Sequence, residues 1–126
     1  MNRTVAVLSP TDLEAFRKAL KTRPRLTKSQ DEARFQKAWT VARRAVAILK
    51  QDFGVKKVVA FGSLTQPALF HKRSDVDLAV WGLAEGDYYR AVGILQGLDS
   101  SIAVDLIEYE NASKSMQETI QMGMEL

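Results

Sequence analysis

Between Phe53 and Val58 the hydrophobic pattern of this chain changes period, and that change restricts the folds open to it. Upstream, Phe35, Ala38, Trp39, Ala42, Ala45, Val46, Leu49 and Phe53 recur at the spacing of one helix face. Arg34, Lys37, Arg43, Arg44 and Lys50 lie mostly off that stripe, Ser29 is a candidate cap, and Gly54 is a natural stop. Aromatic side chains at this spacing read as core before they read as a platform for stacking bases. Downstream, Lys57-Val58-Val59-Ala60-Phe61 is apolar without alternation, the pattern of a short strand covered on both faces. A brief helix or irregular turn fits residues 64–70, then a polar loop at 71–74 and a second strand from Asp75 to Trp81. Gly82 to Gly86 is a turn. Asp87 can cap a helix with Tyr88, Ala91, Val92, Leu95 and Leu98 on its apolar face. A third strand fits Ile102 to Ile107, and Asn111 can cap a last helix carrying Ala112, Met116 and Ile120. Strand, short helix, strand, helix, strand, helix makes a small α/β sheet.

The N-terminal part reads as helical: a β-prone run at Thr4–Leu8, a cap at Ser9-Pro10, then Leu13, Phe16 and Leu20 at helical spacing before Pro24 ends the segment. The whole, 126 residues, suits one domain with one modest core. Residues 1–54 are expected to form a helical extension and 55–126 the sheet-bearing core. No apolar stretch approaches a membrane span, and a cytoplasmic location is expected. Residues 1–50 hold twelve Lys/Arg against four Asp/Glu, whereas residues 51–126 hold six against eleven. The basic half, with Arg17, Lys18, Lys21, Arg23, Arg25 and Lys28, suits nucleic acid, an acidic partner or simply a solvated helical face. It can equally grip a partner, complete the core or mediate self-association.

Two features carry chemistry. Side chains alternate along a strand, so Asp75 and Asp77 point one way while Val76, Leu78 and Val80 point the other. Asp105 in the third strand joins them if the strands are neighbours in register. Two carboxylates about 4 Å apart repel by roughly 4 kcal/mol at an effective dielectric of 20. No Lys or Arg lies within two residues of Asp105. With no cysteine and only His71, any metal must sit on oxygen, which favours a hard cation such as Mg²⁺. Carboxylate-clamped metal pairs serve in-line attack at phosphorus; the plainer reading is surface Asp at strand ends. The second feature is Gly62-Ser63. A glycine lets the backbone approach a phosphate, and the following N–H groups and the Ser hydroxyl can donate to it. Lys72 and Arg73 can add positive charge near a triphosphate. The loop is not a GxxxxGK[ST] phosphate loop, and no GxGxxG is present. His71 reads as a solvated loop residue, Tyr88 as core and Tyr89 as rim.

Gly62-Ser63, eleven intervening residues, Asp75-Val76-Asp77 and a later-strand Asp105 resemble the signature of DNA polymerase β-type nucleotidyltransferases. The resemblance covers about residues 55–126 and is nearest to minimal nucleotidyltransferases, which are often paired with HEPN-domain proteins in toxin–antitoxin modules. It implies an α+β fold: a small mixed sheet with helices mainly on one face. It implies that Asp75, Asp77 and Asp105 hold two Mg²⁺ ions, that Gly62 and Ser63 bind the phosphates of ATP or another nucleoside triphosphate, and that Asp105 assists deprotonation of the acceptor. AMP transfer to a tyrosine of a HEPN toxin would make the chain an antitoxin enzyme. Binding without chemistry is the alternative, and nucleic acid is not the expected substrate. HEPN RNases carry an Arg shortly before a His; His71 lacks one, which places this chain on the antitoxin side. Small-molecule transfer, as in antibiotic-modifying relatives, usually needs a second domain.

Overall fold

A computed structural model describes residues 28–71 and 74–126. Expectations for the segments before residue 28, and for Lys72 and Arg73, lie outside the described residues. Helix α1 spans Lys28–Asp52, strand β1 Lys57–Phe61, and two 3₁₀ turns follow at Gly62–Thr65 and Pro67–Leu69. Then come β2 at Val76–Trp81, α2 at Tyr88–Gln96, β3 at Val104–Glu108, a 3₁₀ turn at Tyr109–Asn111, α3 at Lys114–Gln121 and β4 at Met124–Glu125. Among the described residues no helix is long and apolar enough to cross a membrane.

The four strands lie in the order β3-β2-β1-β4. β1 runs antiparallel to β2 and to β4, while β2 and β3 are parallel. The crossover through α2 is what a parallel pair requires. Strand alternation divides the sheet into two faces. Val58, Ala60, Val76, Leu78, Val80, Val104 and Leu106 point into one layer, which α1 and α2 cover with Ala38, Ala42, Ala45, Leu49, Ala91 and Leu95. On the other face α3 covers a smaller patch, packing Ile120 against Val59, Phe61 and Ala79. The helical stripe of α1 is therefore core, and Trp39 packs edge-on to Phe35 with centroids 6.5 Å apart. Of the roles open to the N-terminal half, residues 35–49 complete the core.

Several sequence expectations shift. Ser29 falls inside α1, because the helix already includes Lys28. Asp87 occupies the N-cap position of α2, but its backbone is already helical (φ −89°, ψ −9°) and it makes no side-chain cap. Its carboxylate instead pairs with Arg90 at 3.3 Å. Asn111 closes a 3₁₀ turn, and Ser113 caps α3 by accepting from the Met116 N–H. Strand β2 begins at Val76 rather than Asp75, and β3 at Val104 rather than Ile102. Strand β4 was not anticipated. It is two residues long, and it fits because Gly123 has no Cβ to drive into the Ala60 carbonyl.

β3 is an edge strand, and an edge presents unpaired backbone groups. The Gln96 side chain fills that role at Val104: its Oε1 accepts from the Val104 N–H at 3.2 Å, and its Nε2 donates to the Val104 carbonyl. The Tyr88 hydroxyl donates to the next outward carbonyl, Leu106, at 2.7 Å. Two residues of α2 thus stand in for a missing fifth strand. Replacing Gln96 by Ala should cost about 1–3 kcal/mol, since two backbone groups lose their partners together. A urea titration, with amide exchange at Val104 rising in parallel, checks this.

Candidate active site

The β2–β3 ladder places Asp77 directly beside Asp105, and the β1–β2 ladder places Phe61 on the other side of Asp77. Neighbouring strands lie roughly 4.8 Å apart. Asp77 and Asp105 therefore share the face opposite the α1–α2 layer, in the row of Phe61, which packs against Ile120 of α3. Asp75 stands just before β2 and is exposed, as is Asp105, whereas Asp77 is half-buried. The hydrophobic alternation forces this arrangement. Val76, Leu78 and Val80 are fully buried on the far side, so a one-residue slip would exchange them for the acids.

Gly62 closes the site from the β1 side. Its φ is +75°, a left-handed conformation that other residues rarely adopt. A Cβ there would come within 2.5 Å of Asp77 Oδ2. The glycine expected to admit a phosphate thus also admits the Asp77 carboxylate. Ser63 follows, half-exposed, in the 3₁₀ turn, which Thr65 Oγ1 braces by donating to the Gly62 carbonyl at 2.8 Å. On the β3 side a shallow groove is lined by Tyr88, Asp105, Ile107, Glu108, Asn111 and Ala112.

The electrostatics are one-sided. The Asp77 carboxyl is pushed up from 3.8 to about 6, first by burial, then by the charges of Asp105 and Asp75. Among the described residues no cation is a cause of that shift. The Tyr88 phenol is also raised, by burial first and then by Asp105, Glu108 and Tyr89. Among the described residues no three acidic or imidazole groups stand close enough to enclose a metal ion. The acids share one face and repel across it. Their hard oxygen donors and the mutual repulsion that helps raise Asp77 suit a divalent cation.

The structure thus brings Gly62, Ser63, Asp75, Asp77 and Asp105 to one end of the sheet; Lys72 and Arg73 lie outside the described residues. His71 is exposed, its N–H donating to Ser74 Oγ at 2.9 Å. Tyr88 is half-buried and Tyr89 is 85% exposed, matching the expected core and rim roles. Sequence reasoning missed the groove beside Asp105, because Asn111 and Ala112 are brought back to it only by the 3₁₀ turn after β3.

The family described as polymerase β nucleotidyltransferase matches residues 44–126. Among solved structures, a variant of the toxin–antitoxin pair MntA–HpeT is similar with a TM-score of 0.56 and 21% identity, covering 68% of this chain and 70% of that one. A toxin–antitoxin with AMP-PNP gives 0.54 and 23%, covering 65% and 69%. A minimal nucleotidyltransferase gives 0.54 and 26%, covering 69% of this chain and 92% of that one. The first two likenesses are of fold. No curated protein matches the sequence.

Asp77 binds its proton more tightly in the folded chain (about 6) than at its ordinary value of 3.8. The stability it contributes is complete below about pH 4 and is lost as pH rises through about 6. Asn mimics the protonated acid. In metal-free buffer, Asp77→Asn should therefore melt higher than the unsubstituted chain at pH 7–8, with the difference vanishing near pH 4. Thermal melts in EDTA across that range give the measurement.

Proposed function

The chain belongs to the polymerase β nucleotidyltransferase family, and from that premise we propose that it transfers a nucleotidyl group, AMP by preference, from a nucleoside triphosphate to a hydroxyl on a partner protein. The observation that carries the proposal is Asp77 set in register with Asp105 and against the bare Cα of Gly62. Asp75, Asp77 and Asp105 would hold Mg²⁺, two ions by family resemblance. Magnesium bound there supplies neutralisation of the charge developing on the phosphoryl oxygens and makes the acceptor hydroxyl more acidic.

The remaining work falls to the chain. Gly62 and Ser63 bind the phosphates from the β1 side, with Lys72 and Arg73 proposed to add positive charge. The acceptor enters from the opposite side, along the groove between Tyr88 and Asn111, which brings its hydroxyl to Asp105. The acceptor oxygen forms a bond to the α-phosphorus as the bond from that phosphorus to the bridging oxygen breaks. Pyrophosphate leaves with the electron pair, and Asp105 receives the hydroxyl proton. Toxin–antitoxin pairs recur among the structural neighbours. A toxin, of the HEPN family by resemblance, is accordingly the proposed partner, its tyrosine the proposed acceptor, and the cytoplasm the proposed setting.

A second reading is favoured by the acids that are not gathered around a centre: the chain neutralises its partner by binding alone. Labelled ATP, Mg²⁺ and the product of the adjacent gene separate the two. Transfer of label to the partner is expected, with Asp77→Asn and Asp105→Asn each lowering it by at least a hundredfold and abolishing neutralisation. No label on the partner, together with full neutralisation by Asp77→Asn, selects binding alone.

A further inference from the structure

Arg34 stands outside the acidic site yet touches both of its approaches. From α1, its Nη1 donates to the Ser101 carbonyl at 3.0 Å, and its Nη2 donates to the Ser74 carbonyl at 3.3 Å. Ser74 immediately precedes Asp75 and the start of β2. Ser101 lies in the turn that leads into β3. The first rung of the β2–β3 ladder follows at once, the Val76 N–H donating to the Ala103 carbonyl at 3.0 Å. One guanidinium therefore bridges the two chain segments whose separation sets Asp77 against Asp105.

The surroundings reinforce the bridge. Ser74 is buried; its Oγ accepts from the His71 N–H, and its N–H donates to the His71 carbonyl at 2.9 Å. One turn along α1, Lys37 pairs with Asp99 at 3.3 Å. The Asp99 carboxylate in turn accepts from the Ser101 N–H and hydroxyl, at 2.8 and 2.6 Å. The β3 approach is held at two points, and among the described residues Arg34 is the side chain of α1 that bonds the β2 approach. Among the described residues Arg34 Nε is buried without a partner, and the guanidinium is engaged through its two Nη atoms. A lysine, with one ammonium, has no rigid fork to span two carbonyls.

We propose that Arg34 is a positioning residue for the nucleotidyltransferase site: it ties the entries of β2 and β3 together so that Asp77 and Asp105 stay side by side, the arrangement from which a divalent cation would be bound. The assignment rests on the function proposed above. The tie also gives α1 a role in the site that its apolar stripe does not reveal.

The test uses the full chain, metal-free, with Mn²⁺ as probe. Affinity is read by the loss of the free-ion paramagnetic resonance signal, and order at the ladder's first rung by amide exchange at Val76. Arg34→Met should weaken Mn²⁺ binding about tenfold or more, as loss of a supporting partner does at metal sites. Val76 exchange should rise while Val80, at the other end of β2, keeps its protection. Arg34→Lys should recover at most part of both effects. Lys37→Met, which loosens the same turn without touching β2, should lower the melting temperature and leave Mn²⁺ affinity within about twofold. If Arg34→Met and Arg34→Lys lower only the melting temperature, leaving Mn²⁺ affinity and Val76 exchange unchanged, Arg34 is a packing residue and the proposal fails. An unsubstituted chain that binds no Mn²⁺ overturns the metal reading of the site, and Val76 exchange then decides the tie by itself.

Discussion

The parallel pairing of β2 with β3 puts two carboxylates, one half-buried and one exposed, side by side on a strand pair whose buried residues are all apolar. Pairing in this register is enforced from the far side, where Val76, Leu78, Val80, Val104 and Leu106 enter the α1–α2 layer. The hydrophobic gain from those side chains, about 1.5–3 kcal/mol for each one fully buried, outweighs the repulsion between Asp77 and Asp105. The acids cannot escape by sliding, because a slip of one residue would expose the whole apolar set. What remains to them is protonation, visible in the raised Asp77 carboxyl, or a counter-charge.

Much of this was legible in the sequence. Alternation places Asp77 opposite Val76 and Leu78 for any strand through these residues, and Gly62-Ser63 marks a break after an apolar run. Nothing local to β2 or β3 states that they run parallel; the direction follows from the helix the sequence places between them, which crosses over. The capping errors have a common cause. Asp87 and Asn111 are good N-cap residues by type, but Asp87 is already helical at its backbone, and a second capping residue, Ser113, stands two positions beyond Asn111. Strand β4 carries almost no apolar signal; its position depends on a glycine's fit against β1.

The polar clasps were the least readable features. Gln96, Tyr88 and Arg34 each act on backbone groups in other elements or turns, 8 to 67 residues away, at Val104, Leu106, Ser74 and Ser101. Such bonds leave no periodicity. On hydrophobic spacing, Gln96 and Arg34 are merely the polar faces of amphipathic helices, yet they are what holds the edge and the entries of the acid-bearing strands.

Seen from the sheet, the clasps and the acids belong to one design. The apolar layer fixes which residues are paired, and the acids sit one residue inside the strand entries, beside the buried Val76–Val104 rung. Repulsion between them works against that rung. Arg34 supports it on the helix side, and Gln96 holds the outer edge of β3 on the other. Both do so through backbone carbonyls or amides rather than through the carboxylates. The negative charge therefore stays uncompensated by these clasps while the frame around it stays closed. A site that paired its acids directly with Arg or Lys would be more stable empty, and it would have less left to attract a cation. Anchoring the frame and leaving the carboxylates out of the clasps separates what holds the strands from what the proposed chemistry would use.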